Sequence, residues 1–169
     1  IATSDTLDLV ISMQEKSFSK LQNIEYLNNL EKKVNTLQLV SKTSSIGKII
    51  KDTNYFLHKN NEKYNRIPKN KTIFNQIFSY LEKKSKGTVT SWNTETHKTT
   101  RIFIELKEFS SKQIEDHIEK IKTYIKDIFP AGTTYFFSGS TYQMAMMNQY
   151  ITRGLVRSVL TALLMITII

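Results

Sequence analysis

Two stretches of this chain alternate with period two, and each is followed by an apolar stripe at helical spacing. In "DTLDLVIS", Leu7, Leu9 and Ile11 point one way while Asp8, Val10 and Ser12 point the other. In "TTRIFIELK", Ile102, Ile104 and Leu106 share one side. Successive residues of a strand face opposite sides of its sheet, so both segments predict strands with one strongly apolar face. After the first, Ile24, Leu27, Leu30, Val34 and Leu37 recur at helical spacing, with Asn23 available as N-cap. After the second, Ser110 and Gln113 have capping-box spacing and open a helix carrying Ile114, Ile118, Ile121, Ile125 and Ile128, which Pro130 stops. "LQLVSKTSS" and "TTYFFSGS" read as the strands that follow the two helices. Strand, helix, strand therefore occurs twice.

Between the copies, Ser45 is placed to cap a helix, "IGKIIKDTNYFLHK", on which Ile49, Ile50, Thr53, Phe56 and Leu57 share a face. A polar loop with Pro68 follows, then a third helix with Ile73, Phe74, Ile77 and Leu81 on one side, ending before Gly87. A partner strand for "TTRIFIELK" is expected within "TVTSWNTET". The pattern predicts an α+β fold of ferredoxin-like βαββαβ type, with helices over one sheet face and an inserted helical pair at about 46–86. Residues 1–139 form this domain and 140–169 a separate helix. Five Gly and two Pro are too few for a β-sandwich with many tight turns.

The composition removes several chemistries. Without cysteine there are no disulfides, thiolate metal sites or cysteine nucleophiles. His58, His97 and His117 are scattered, and no spacing of His, Asp and Glu suggests zinc. Glu115, Asp116 and Glu119 sit among Lys112, Lys120 and Lys122, which reads as a solvated face rather than an acid/base pair. "FSGSTY" lacks the second glycine of a nucleophile elbow, and Ser140 has a simpler role as an N-cap. The expectation is a protein that is not an enzyme, with no cofactor, no metal and no catalytic residue. The net charge of +9 is spread through segments such as "HKNNEKYNRIPKNK" and "HIEKIKTYIKD", interleaved with Glu and Asn, so it marks a solvated surface before a nucleic-acid stripe.

From Ser140 the chain shows no helix breaker except Gly154, no acidic residue after Asp127 and no charge after Arg157. Ser140 and Gln143 have capping-box spacing. Three readings of "ITRGLVRSVLTALLMITII" compete. A core helix would carry a polar face or a C-terminal stop signal, and an interfacial helix would keep basic residues along its length. A membrane helix accounts for the all-round apolar run, with Arg153 and Arg157 anchoring at the headgroup level. The opening "IATSDTLDLV" lacks an initiator Met and signal-peptide regions, so the chain reads as a segment excised at both ends, its last helix a truncated span.

"GSTYQMAMMNQYITRGLVRSVLTALLMITII" resembles the junction between a large extracytoplasmic loop and the next membrane helix in the RND superfamily, in its MMPL-like branch of hydrophobe and amphiphile exporters. The matching elements are Gly139-Ser140, Asn148, Tyr150-Ile151, Arg153-Gly154, Arg157-Ser158 and the apolar run. Upstream, the order of helix, short strand, helix, Pro-containing loop and helix, then "TTRIFIELKEFSSKQIEDHIEKIKTYI", resembles the second of that family's two large loops. The resemblance implies a periplasmic porter domain of a proton-driven exporter in the inner membrane. It would take up lipid-like substrates and work with other domains of the same transporter and with membrane lipids. A homo-oligomer fits this picture and nucleic acid does not. The family's proton-relay residues lie in membrane helices outside this chain. Flanking arginines ordinarily mark a cytoplasmic side, but a domain this long is largely exempt, and the resemblance sets the orientation.

Phe136 and Phe137 lie on opposite faces of one strand, so at most one enters a one-sided core. Trp92, Phe136, Phe137, Met144 and Met147 are candidates for an apolar substrate path, with core packing as the simpler account of each. Two other functions remain open: a membrane-tethered interaction or assembly module, and a soluble basic domain that binds nucleic acid.

Overall fold

The computed structural model describes residues 5–14, 17–84, 86–107 and 110–168, so Ile1–Ser4 of the expected domain and Ile169 of the expected span lie outside the described residues. Among these the order is β1 (Thr6–Ser12), α1 (Leu21–Val34), β2 (Val40–Ser44), α2 (Ile46–Leu57), a 3-10 turn (Glu62–Tyr64), α3 (Lys71–Lys84), α4 (Lys86–Trp92), β3 (Thr99–Leu106), α5 (Ser111–Ile128), β4 (Thr134–Ser138) and α6 (Ser140–Ile168). The strands form one antiparallel sheet in the order β2-β3-β1-β4. Each strand–helix–strand copy straddles one strand of the other copy, so β1 runs parallel to β2 and β3 parallel to β4. The fold is mixed α+β.

One face of the sheet is covered. Leu7, Leu9, Ile11, Ile102, Ile104, Leu106 and Phe137 are buried there with the stripes of α1 (Ile24, Leu27, Leu30, Val34) and α5 (Ile114, Ile118, Ile121, Ile125). Ile46 and Ile50 of α2 and Phe74, Ile77, Phe78 and Leu81 of α3 extend the same core. The Ser110–Gln113 capping box forms, and Ser45 accepts the Gly47 N–H at 3.0 Å.

Several local expectations are corrected. Asn23 does not cap α1, whose N-cap is Lys20; it is buried in the first turn, where its Nδ2 donates to the Ser17 carbonyl at 2.7 Å. Leu37 is buried but lies beyond the helix. On α2 the inward positions go to Ile46, Gly47, Ile50 and Asn54, while Phe56 and Leu57 are exposed. Asn54 wins its place because its Nδ2 donates to the carbonyls of Tyr64 and Arg66 at 2.8 and 2.9 Å, pinning the following loop where unpaired carbonyls would be costly. Ile73 likewise turns outward and Phe78 takes its place in the core.

The expected partner strand in "TVTSWNTET" is the helix α4, which contains Gly87, and a single bridge from Asn93 to Thr100. The sheet explains this. β1 occupies one edge of β3 along its whole length, and β2 holds the other edge from Phe103 to Leu106. Only the start of β3 has an open edge, and Asn93 fills it. α6 begins at Ser140 itself, so Gly139 stands at the cap position and its carbonyl accepts the Gln143 N–H at 3.1 Å. Gly139 has φ +101°, and a Cβ there would lie 3.1 Å from the Thr6 carbonyl oxygen, so this tight turn from β4 into α6 needs glycine.

Candidate functional site: the uncovered sheet face and the emerging helix

Among the described residues, only the end of α4 reaches the second face of the sheet, through Trp92. The register sets Phe136 of β4, Val10 of β1 and Arg101 of β3 side by side across it. Two inter-strand spacings put Arg101 and Phe136 about 10 Å apart. Trp92, half-buried at the end of α4, completes the row, because the Asn93–Thr100 bridge holds it beside β3 with the Arg101 guanidinium 5.5 Å from the ring centroid. In the next row Ser138, Asp8 and Phe103 align. Asp8 Oδ1 and Arg101 Nε are both buried without a hydrogen-bond partner. The face thus combines apolar surface with the carboxylates of Asp8 and Glu105 and the Arg101 guanidinium, and Asp8 Oδ1 and Arg101 Nε each have an unfilled hydrogen-bonding position.

The five residues of the expected substrate path divide. Phe136 is 57% exposed on the open face while Phe137, 7% exposed, belongs to the core, stacked 6.0 Å from Tyr142 of α6. Trp92 joins Phe136 on the open face. Met144 and Met147 lie exposed on the outer flank of α6. Of the five, only Trp92 and Phe136 share this face, where Val10, Arg101 and Phe103 stand beside them. The alternation of "TTRIFIELK" marks Arg101 and Phe103 as outward, but only the register places Arg101 in one row with Phe136 and Phe103 in the row beside it.

α6 begins packed and ends bare. Thr141 and Ala145 are buried, Tyr142, Met146 and Gln149 half-buried, and Gln149 Nε2 donates to Glu115 of α5 at 3.2 Å. From Tyr150 through Thr167 every residue is exposed, and the helix continues unbroken through Gly154. Arg153 and Arg157 stand at the start of this bare stretch. By length and composition the helix is long and apolar enough to cross a membrane, and its most apolar window has no buried residue. Packing within this domain does not cover it.

The three histidines and Glu119 have structural partners. His58 stacks on Tyr64 at 3.8 Å, and His117 Nδ1 lies 2.7 Å from the Gln113 carbonyl. Glu119 pairs with Lys122 at 2.6 Å and raises the lysine above its usual value. His97 pairs with Glu82 at 2.9 Å beside a cleft of about 300 Å³ that also includes Glu95, and its backbone has φ +52°. Among the described residues no group of three or more His, Asp or Glu is arranged to hold a metal ion.

Glu31 follows Leu27 by four residues and so continues the inward stripe of α1. It is 4% exposed and reaches the N-terminus of α2, its Oε2 beside Gly47. Burial raises its carboxyl above the usual range, and Ser45, Lys51, Thr43 and Lys48 oppose that rise. It lines a polar cleft of about 500 Å³ with Lys32, Lys42, Lys48 and Lys51. No protein-family model matches this chain, and no curated protein is significantly similar to it.

Proposed function

We propose that this chain is the extracytoplasmic porter-type domain of an RND-superfamily exporter of the MMPL-like branch, joined to one of its membrane helices, and that it selects hydrophobic or amphiphilic molecules without covalent chemistry. The observation that carries this reading is the continuity of α6. Its first turns are locked to the core by Thr141 and Ala145, and the same helix then presents an exposed apolar surface with no intervening linker. A domain joined in this way moves with its span, which is what alternating access requires. The interleaving of two strand–helix–strand units in the order β2-β3-β1-β4 supports a ferredoxin-like porter layer. The open sheet face supports the substrate class: Phe136, Val10 and Phe103 would take an apolar chain, with Arg101 and Asp8 beside it for a polar head.

The half-apolar open face favours a second reading, a membrane-tethered module that docks a partner protein there. One experiment separates them. This chain has no cysteine, so once any cysteine elsewhere in the complete membrane protein is replaced by serine, Phe136→Cys carries a photoreactive group at a single position. Under the exporter reading, illumination in cells captures an amphiphile at position 136 and little at exposed Lys126 of α5, and cells expressing the protein clear an amphiphilic dye only while a proton gradient exists. Capture of one protein without dye clearance would replace the exporter reading with the docking one. Equal labelling at positions 136 and 126 would refute both.

A further inference from the structure

α5 and α6 diverge around a cleft of about 390 Å³ lined by Lys112 and Glu115 of α5 and by Asn148, Gln149, Thr152 and Arg153 of α6. Its two cations come from different elements, one from the first turns of a domain helix and one from the helix that leaves the domain. They face one carboxylate, Glu115, which already accepts the Gln149 side-chain N–H at 3.2 Å. We propose that this cleft binds the phosphate of a phospholipid headgroup, held between Lys112 and Arg153.

The chemistry fits an anionic oxygen cluster. The Arg153 guanidinium offers a planar fork that matches phosphate oxygens, and the Lys112 ammonium adds a point charge from the opposite wall. Thr152 and Asn148 supply hydroxyl and amide groups at the rim. Position selects a lipid over a free anion. Arg153 lies five residues before Ser158, the start of the uncharged run, or about 7.5 Å along the helix at 1.5 Å per residue. The headgroup region on each side of a bilayer is roughly 5–7 Å thick. A span whose hydrocarbon depth begins near Ser158 therefore puts the cleft at the level of the phosphates. Arg157, one turn further along, does not line the cleft, although it carries the same charge on the same helix.

This inference rests on α6 entering a membrane, and the test keeps the two apart. The complete membrane protein is reconstituted in vesicles of a phosphate-free galactolipid containing a few per cent phosphatidylglycerol, and phospholipid retained after purification is counted by native mass spectrometry. Wild type is expected to retain phosphatidylglycerol over galactolipid. Lys112→Gln and Arg153→Gln are each expected to lower retention about fivefold, and Arg157→Gln less than twofold, since it removes equal charge outside the cleft. Equal losses in all three variants would overturn the site in favour of diffuse attraction. Galactolipid retained as well as phosphatidylglycerol would overturn the phosphate, and inorganic phosphate bound as tightly as the phospholipid would overturn the lipid as its source. Alkaline extraction of the same vesicles reads the span separately. An extractable chain overturns the membrane reading, whereas an inserted chain that retains no phospholipid overturns the headgroup site alone.

Discussion

Replacing Phe137 by alanine should cost several times more stability than replacing its neighbour Phe136, and the difference measures how one-sided the sheet is. Phe137 is almost wholly buried against α6 and the helix-covered face, with ring centroids 6.0 Å from Tyr142 and 6.3 Å from Tyr135. Losing its ring forfeits the transfer energy of a buried Phe, about 1.5–3 kcal/mol, together with aromatic contacts and an unfilled cavity. Phe-to-Ala changes in such sites cost about 3–5 kcal/mol. Phe136 keeps more than half of its surface in water, so the same truncation removes under half of the transfer energy and leaves no cavity, a loss of about 1 kcal/mol. Trp92 is the only tryptophan, so its fluorescence can follow urea unfolding of the full chain in detergent. With a urea slope of about 2 kcal/mol per molar, Phe137→Ala should lower the midpoint by about 1.5–2.5 M and Phe136→Ala by about 0.5 M. Equal shifts would mean that both sheet faces are covered. A reversed order would mean that β4 is out of register by one residue, since such a slip exchanges its two faces.

Two further outcomes follow from the turn into α6 and from the buried carboxylate. Gly139→Ala should destabilise the full chain by about 1–2 kcal/mol in the same unfolding assay, because a positive φ is strained for alanine and its methyl would press on the Thr6 carbonyl. Gly154→Ala, where nothing lies within 4 Å, should leave stability unchanged or slightly higher, and equal losses at both sites would refute the steric account. Glu31→Gln should gain on wild type as pH rises. Burial raises the folded-state carboxyl above its unfolded value, so the folded protein holds the proton more tightly, and wild-type stability declines from about pH 4.5 upward until the folded group has ionised. Midpoints compared between pH 4 and pH 8 should therefore diverge in favour of the variant. A difference independent of pH would mean that the carboxylate is not desolvated.

Much of this fold is local and was legible as such. The periods of β1, β3, α1 and α5, the caps at Ser45 and Ser110 and the stop at Pro130 each depend on residues within a few positions of one another. The errors occurred where a distant group claimed a position. Carbonyls ten and twelve residues away drew Asn54 inward in place of Phe56. Occupied edges of β3 denied "TVTSWNTET" a strand partner. A backbone clash with β1 decided that Gly139, not Ser140, stands before α6.

The candidate site follows the same division. The exposed apolar helix and its two leading arginines are a property of composition along one segment, because a run with no polar face needs an apolar environment wherever it lies. The row of Trp92, Arg101, Val10 and Phe136 is not, since it draws on four separate segments aligned by register. The same is true of Lys112 meeting Arg153 across the α5–α6 cleft. Sequence by itself determined which segments carry apolar faces, because amphipathic period is written in neighbouring residues. Only the tertiary structure decided which polar and aromatic groups meet on the uncovered surfaces, because those contacts depend on strand order and on the angle at which α6 leaves the sheet.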